Sequence, residues 1–516
     1  MPKKYLIYNF SGELDDISHL FPNERLGRIA AIIIKYGCEA DIVDRANISD
    51  LIDIGKEYMR NLGELSFYES NKLYESLLEK ESRTILDNDY DVIFINLWHG
   101  SGFKFSIDLS NLIKKSRPRI KIYGVGQKVD WFKEYILKLA NNRIDGLIMG
   151  LGYNAVEDIV LNKNLTKTAN LILSNDGKIT ENKRSPIDVD NFPLALYHPD
   201  IYKNIKDKIP VFSITLSNQA CPNHCIFCVR PENYGRINKA RKIENVIAEM
   251  TQLRLLHKAA HFRIEDSTPP RNSFSELAQA IINSKLHGKV KFSGFSRIDT
   301  NNPKTLALLK EAGCAALFFG IESLDDENLL KLRKGITYSQ IKNTLMQVHK
   351  SGIPAIGSFI FPIPGETRQS MENTLQRMGE VGQYLSSLLV LPAGVYPHTE
   401  WGKHPAKYGI QLEDDYLEKS VIYPLKYLLP FKYWPPFSFK YKIMDKDIKE
   451  VNFAYIVKVY QEFLDRIKNE FHIPAIPDYY FLLSDLIGKD YIFTTQTIIG
   501  YMVHRDYPAI KELFSK

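Results

Sequence analysis

The sequence predicts an α/β protein in three parts: a doubly wound parallel sheet, a partial parallel barrel of six strand–helix units, and a mainly helical C-terminal region. Three observations carry that expectation. Short apolar runs alternate with helical stretches in two series, across 1–160 and 209–395. A proline-punctuated irregular segment, DVDNFPLALYHPD, separates the two series and makes 161–208 the expected linker. The strand rhythm then stops, and 396–516 is rich in Tyr, Phe and Trp with helical patterns from 446 onward. A chain of 516 residues has room for two or three domains.

In the first series the expected strands are 5–10, 39–44, 91–97, 120–126 and 145–150. Between the first two, ERLGRIAAIIIKYG has apolar residues at helical spacing and ends on Gly37, where a helix C-terminal glycine is favoured. Such a Rossmann-like sheet opens its ligand crevice at the strand C-termini. The loops there are FSG, HGSG, GVGQ and GLG, small enough for a ligand to approach the backbone. NLILSNDGKI reads as a hairpin turning at Asn175–Gly177. The second series places strands at 211–217, 261–266, 289–295, 316–323, 354–361 and 386–392, with helices at 242–257, 273–286, 303–313, 338–351 and 369–381. Six such units fit a partial (β/α)6 TIM-like barrel, whose active site gathers at the strand C-termini. The stretch YPLKYLLPFKYWPPFSFKYK is either an ordinary helical core or a wall over the barrel mouth.

Composition narrows the class. The chain is 44% hydrophobic and 25% charged, which excludes a mainly disordered or collagen-like protein. Lys+Arg exceed Asp+Glu by 67 − 61 = 6, with no basic block or stripe, so nucleic acid is not an expected partner. The N-terminal apolar run is too short for a signal peptide, and no stretch approaches ~20 uninterrupted apolar residues. A cytoplasmic protein without a membrane span is expected. The five cysteines are Cys38, Cys221, Cys225, Cys228 and Cys314. Three within eight residues suggest a metal site in a reducing compartment rather than a disulfide framework.

Those three sit in QACPNHCIFCVRP with the spacing C-x-x-x-C-x-x-C, directly after the first barrel strand. Three thiolates on one tight loop suit three irons of a cubic [4Fe–4S] cluster and leave the fourth iron open. A structural zinc site wants four ligands, and its nearest further donor, His224, sits in the same crowded loop.

The triad, with Phe227 before its last cysteine, resembles the radical S-adenosylmethionine (SAM) superfamily. HFRIEDSTPP, GFSRID, LLKEAGCAALFFGIESLDDENLLKLRKGIT and SFIFPIPGET resemble the second to fifth strand motifs of the branch that includes cobalamin-dependent enzymes. The resemblance covers roughly 211–395, and Pro362 stands where a glycine is usual. It implies that the open iron chelates SAM and that the reduced cluster cleaves it to methionine and a 5′-deoxyadenosyl radical. It also implies roles by position: Glu265 and Asp266 at the methionine amino group, Arg297 at its carboxylate, Glu322 at the ribose hydroxyls and Phe227 near the adenine. For the polar residues the plain alternative is a barrel-end salt bridge or cap.

The first α/β series, with LFPNERLGRIAAIIIKYGCEADIVD and the link NFPLALY, is similar to the cobalamin-binding domain found before such barrels. Histidine-ligating members carry D-x-H-x-x-G. Here Asp16 and His19 are one residue too far apart and Pro22 replaces the glycine, so no axial histidine is expected from that loop. The resemblance places the nucleotide tail beside Gly124, Gly126, Gly150 and Gly152, and Trp98 or His99 toward the lower face of the corrin. Tyr153 stands where the family often has an acidic residue.

The implied function is a cobalamin-dependent radical SAM methyltransferase acting on a small molecule or natural-product intermediate, served by a donor such as flavodoxin or ferredoxin. Alternatives are non-methylating radical chemistry, such as ring contraction, cyclisation or transfer of another SAM-derived group, and a non-catalytic cobalamin- or metal-binding protein. Methylthiotransferases need three more cysteines in the first domain, where only Cys38 is present.

Overall fold

The computed structural model describes residues 2–515 except 13, 15, 57, 59–70, 99, 142, 176, 423–438 and 445–452. The chain divides into two compact units: Met1–Pro210 with Leu417–Pro424 and Gln496–Lys516, and Val211–Tyr416 with Leu425–Thr495.

The first unit holds β1 (Lys4–Asn9), β2 (Glu39–Asp44), β3 (Val92–Asn96), β4 (Lys121–Val125), β5 (Gly146–Ile148), β6 (Leu171–Asn175) and β7 (Lys178–Glu181). Their order is β2-β1-β3-β4-β5-β6-β7, parallel through β5 and antiparallel beyond it. The five strands expected from the sequence are all present. Every residue of β3 is buried, as a strand covered on both faces requires. The chain reverses its direction of winding between β1 and β3, where doubly wound sheets open a ligand crevice.

The helix Glu24–Lys35 begins at Asn23, whose side chain accepts from the backbone of Arg25 and Leu26. Residues 193–197, within the stretch expected as a linker, lie on this helix. Arg28 donates to Pro193 O at 2.9 Å, and Leu196 N to Gly27 O at 3.0 Å. A Cβ on Gly27 would stand 2.7 Å from Leu196 O, so only glycine permits the approach. The same stretch supplies β6 and β7, so the expected linker is largely an extension of the first sheet. Residues beyond 495 also belong to this unit, where Lys511 Nζ lies 3.0 Å from Ser49 Oγ.

The second unit holds β8 (Val211–Ile214), β9 (His261–Ile264), β10 (Lys291–Ser296), β11 (Cys314–Glu322), β12 (Ala355–Ile360) and β13 (Ser387–Leu391). They form one fully parallel sheet in sequential order, β13-β12-β11-β10-β9-β8. Helices Ile243–His257, Ser273–Ile282, Pro303–Glu311, Tyr338–Lys350 and Arg368–Val381 make the crossovers. This is the expected six-unit partial barrel. Capping boxes at Thr337 and Thr367 start the last two helices.

The C-terminal part carries the small pair β14 (Ile410–Leu412) and β15 (Phe439–Tyr441), then helices Phe453–Glu470, Tyr479–Ile487, Tyr491–Val503 and Tyr507–Phe514. Most of the aromatic stretch, 423–438, lies outside the described residues. The helix Tyr479–Ile487 packs on β9, β10 and β11. Its leading segment is fastened to β13: Leu388 N donates to Pro474 O at 2.9 Å and Ile476 N to Ser387 Oγ at 2.8 Å. No helix among the described residues is long and apolar enough to cross a membrane.

Candidate active site

β8 ends at Ile214, and the loop that follows carries the three cysteines. Its base is held by Asp266, a fully buried residue just beyond β9. One Asp266 oxygen accepts from Leu216 N at 2.6 Å and the other from Ser217 Oγ. The side chain expected at the methionine amino group is therefore spent inside the protein: a carboxylate without solvent turns to the nearest donors. Its neighbour Glu265 remains about one-third exposed, accepting from Ser213 Oγ at 3.0 Å with Arg263 at 3.7 Å.

The loop is clamped on two further sides. Ile226, between the second and third cysteines, donates its N–H to Leu332 O at 3.2 Å and accepts at its carbonyl from Glu400 N at 3.0 Å. Phe227 packs against buried Trp401, ring centres 6.0 Å apart. Two of the cysteine sulfurs have polar partners. Asn223 Nδ2 lies 3.3 Å from Cys221 Sγ, Thr268 Oγ1 3.4 Å from it, and Arg230 N 3.4 Å from Cys228 Sγ. Hydrogen bonds to sulfur tune and stabilise thiolates that ligate iron. Burial pushes the Cys228 thiol up to about 11 and moves Cys225 in the same direction, with Lys334 opposing the latter shift.

His224 is exposed and faces Arg236, 3.1 Å from its Nη1. No group of three His, Cys, Asp or Glu among the described residues converges on a single metal ion. A mononuclear zinc needs such convergence, whereas a cubane takes one thiolate per iron. Cys38 and Cys314 lie apart, on β2's approach and the start of β11.

The other expected residues have definite places. Arg297 forms a two-point pair with Asp299 at 2.7 and 3.1 Å, and Asp299 is held below the usual carboxylate range, burial being outweighed by that arginine. Glu322 ends β11 in the left-handed region, φ 71°, a conformation that a glutamate adopts only when its surroundings impose it. Its carboxylate accepts from Lys334 Nζ at 3.0 Å and from Ser358 Oγ at 3.4 Å. Lys334 was not foreseen: it lies in a short loop after a helix, with no pattern to distinguish it from a surface lysine. Burial disfavours its charge, but Glu322, Cys225 and Cys228 more than compensate, so its pKa is raised.

In the first unit the crevice edge is a buried polar network. Asn9, at the end of β1, accepts from Trp98 Nε1 at 2.5 Å and Asn96 Nδ2 at 2.8 Å, and donates to Asp44 at 2.7 Å. Asp44 also pairs with fully buried Lys208 at 2.8 Å and accepts from Tyr202 OH. The Trp98 indole lies 4.3 Å from the His19 ring. His99 falls outside the described residues.

Three of the four glycines sit in close packing with the protein itself. A Cβ on Gly124 would meet Leu147 at 2.6 Å and Leu97 at 2.8 Å; on Gly126, Asn96 Oδ1 at 2.5 Å; on Gly152, Ile148 at 2.1 Å. Gly150 donates its N–H to Asp130 at 2.7 Å.

Comparison with known proteins bears on the family and the fold. Residues 216–378 match the Radical SAM superfamily. A methyltransferase of Pyrococcus horikoshii, described as uncharacterised, is 26% identical over 335 residues, 61% of this chain and 72% of that protein. A putative methylthiotransferase of Methanocaldococcus jannaschii is 25% identical over 325 residues, 60% and 69%. The structure of the radical SAM methyltransferase TsrM from Kitasatospora setae, with cobalamin and a [4Fe–4S] cluster bound, shares the fold with a TM-score of 0.67, 13% identity and 99% of each chain covered.

Proposed function

The chain carries a radical SAM domain over residues 216–378, and from that premise we propose a cobalamin-dependent methyltransferase acting on an unactivated carbon of a small molecule or natural-product intermediate. The observation that carries the reading is the cysteine loop: three thiols at the mouth of a parallel barrel, with N–H and O–H groups placed on two of the sulfurs. Cys221, Cys225 and Cys228 would hold the cluster, each as a thiolate. Bound there, a [4Fe–4S] cluster and SAM supply a carbon radical, and cobalamin supplies a methyl carrier.

The surrounding side chains bind and orient. Glu265, about one-third exposed although it accepts from Ser213 Oγ and faces Arg263, is the carboxylate we assign to the SAM ammonium, since Asp266 is fully buried and engaged with the loop. Arg297 takes the SAM carboxylate, Glu322 the ribose hydroxyls, and Phe227, braced by Trp401, lies by the adenine. In the first unit, the switch point at the C-terminal ends of β1 and β3 is the place we assign to the corrin. Asn9 anchors the Trp98 indole there, and with cobalamin bound the indole would offer it an apolar face. A flavodoxin or ferredoxin is the proposed electron donor.

Methylthio transfer does not fit, because a second cluster needs three cysteines in the first unit and only Cys38 is there. The test is reconstitution with iron, sulfide and cobalamin, followed by assay for S-adenosylhomocysteine beside 5′-deoxyadenosine. Both products are expected. 5′-Deoxyadenosine without S-adenosylhomocysteine would remove methylation and leave radical chemistry standing.

A further inference from the structure

Lys334 is a nearly buried ammonium beside the cysteine loop that no step above uses. Its loop touches the cysteine loop directly, through the 3.2 Å bond from Ile226 N to Leu332 O. Its Nζ lies 6.0 Å from the centre of the Phe227 ring, and Phe227 immediately precedes Cys228 in the C-x-x-C step. Two backbone features keep it there. Arg333 adopts φ 53° and Gly335 φ 72°, which turn the lysine inward. Gly320 leaves the space: a Cβ there would stand 2.8 Å from Glu322 Oε1 and 3.0 Å from Lys334 Nζ. Glu322 then takes its strained conformation to reach the ammonium at 3.0 Å. The arrangement adds a fixed positive charge, paired with the Glu322 carboxylate, to those that Arg230 and Arg297 bring near the thiols.

We propose that the Lys334–Glu322 pair sets the reduction potential of the [4Fe–4S] cluster on Cys221, Cys225 and Cys228. The inference rests on the reading that this loop holds such a cluster. Adding one electron to the oxidised cluster from an external low-potential donor makes the site more negative by one charge. A neighbouring ammonium stabilises that state, and a neighbouring carboxylate opposes it. No bond forms, and Lys334 keeps its proton in both states. Lys334 is thus a positioning residue for charge, and Glu322 moderates it.

The experiment is an anaerobic redox titration with dithionite, without SAM or cobalamin, followed by the electron paramagnetic resonance signal of the reduced cluster. Wild type, Lys334→Gln, Lys334→Arg and Glu322→Gln are reconstituted with iron and sulfide. At the wild-type midpoint, Lys334→Gln is expected to lower the ratio of reduced to oxidised cluster about tenfold, ~59 mV for one electron. Glu322→Gln is expected to raise it, and Lys334→Arg to keep it within about twofold of wild type. Shifts of opposite sign from the two halves of one pair separate a charge effect from general distortion. Shifts of the same sign, or none, overturn the proposal. If Lys334→Gln takes up no iron, the rise in Glu322→Gln decides alone: present, it supports the proposal; absent, it overturns it. Iron content of the wild type is read separately, and its loss would overturn the cluster reading itself.

Discussion

Three thiols with different surroundings share one task at the cysteine loop. Replacing Cys221, Cys225 and Cys228 together with Ala is expected to abolish iron binding and SAM cleavage, because each thiolate is a proposed ligand. Cys38→Ala and Cys314→Ala are expected to retain the cluster; iron and sulfide analysis of the three variants checks this. A second residue-scale prediction concerns Glu366, buried beside β12 and hydrogen-bonded by Ile363 N, Asn328 Nδ2 and Ser370 Oγ. Burial pushes its carboxyl up to about 7 despite those donors. The folded chain therefore binds this proton more tightly than the unfolded chain does. Its stabilising contribution is complete below the ordinary carboxylate range and is lost as pH rises through about 7. Glu366→Gln is expected to flatten the stability–pH curve between pH ~5 and ~8 by about 3 kcal/mol, measured by denaturant unfolding across that range.

At the scale of elements, the helix Tyr479–Ile487 is tied into the barrel by a charge rather than by apolar contact alone. Asp478, fully buried, accepts from Ser293 Oγ at 2.6 Å and from Arg263 at 3.2 and 3.4 Å. Arg263 lies between the rings of Phe295 and Tyr479, and it also faces Glu265. Asp478→Ala leaves a buried guanidinium with Glu265 as its remaining counter-charge among the described residues. The expected cost is about 3–5 kcal/mol, read as a fall of roughly 10 °C in the melting of the barrel unit. The helices and strands of this unit were legible in the sequence because their apolar periods are local. The Asp478 contact was not: a lone aspartate before YYFLL reads as a helix cap, and its partners lie 185 and 215 residues away.

At the scale of the whole molecule, the two α/β series became two sheets of different topology. Cobalamin in the first unit is expected to carry no protein nitrogen on cobalt, since His19 packs its ring against Trp98 rather than following the ligating motif. The cob(II)alamin spectrum should then lack nitrogen superhyperfine splitting. Splitting that disappears in His99→Ala or His19→Ala would name the ligand and refute this. The sequence by itself determined the strand–helix rhythm, the barrel, and the cysteine loop with its implied cluster. Each depends on periodicity or on ligands a few residues apart. Only the tertiary structure decided the β2-β1-β3 order that opens a crevice beside Asn9 and Trp98. It alone engaged Asp266 with the cysteine loop and Glu265 with Ser213 and Arg263, paired Asp44 with Lys208, and set Lys334 on Glu322 beside the cysteine loop. Those choices belong to charges taken out of water, and where a charge finds its partner depends on chain segments that meet only after folding.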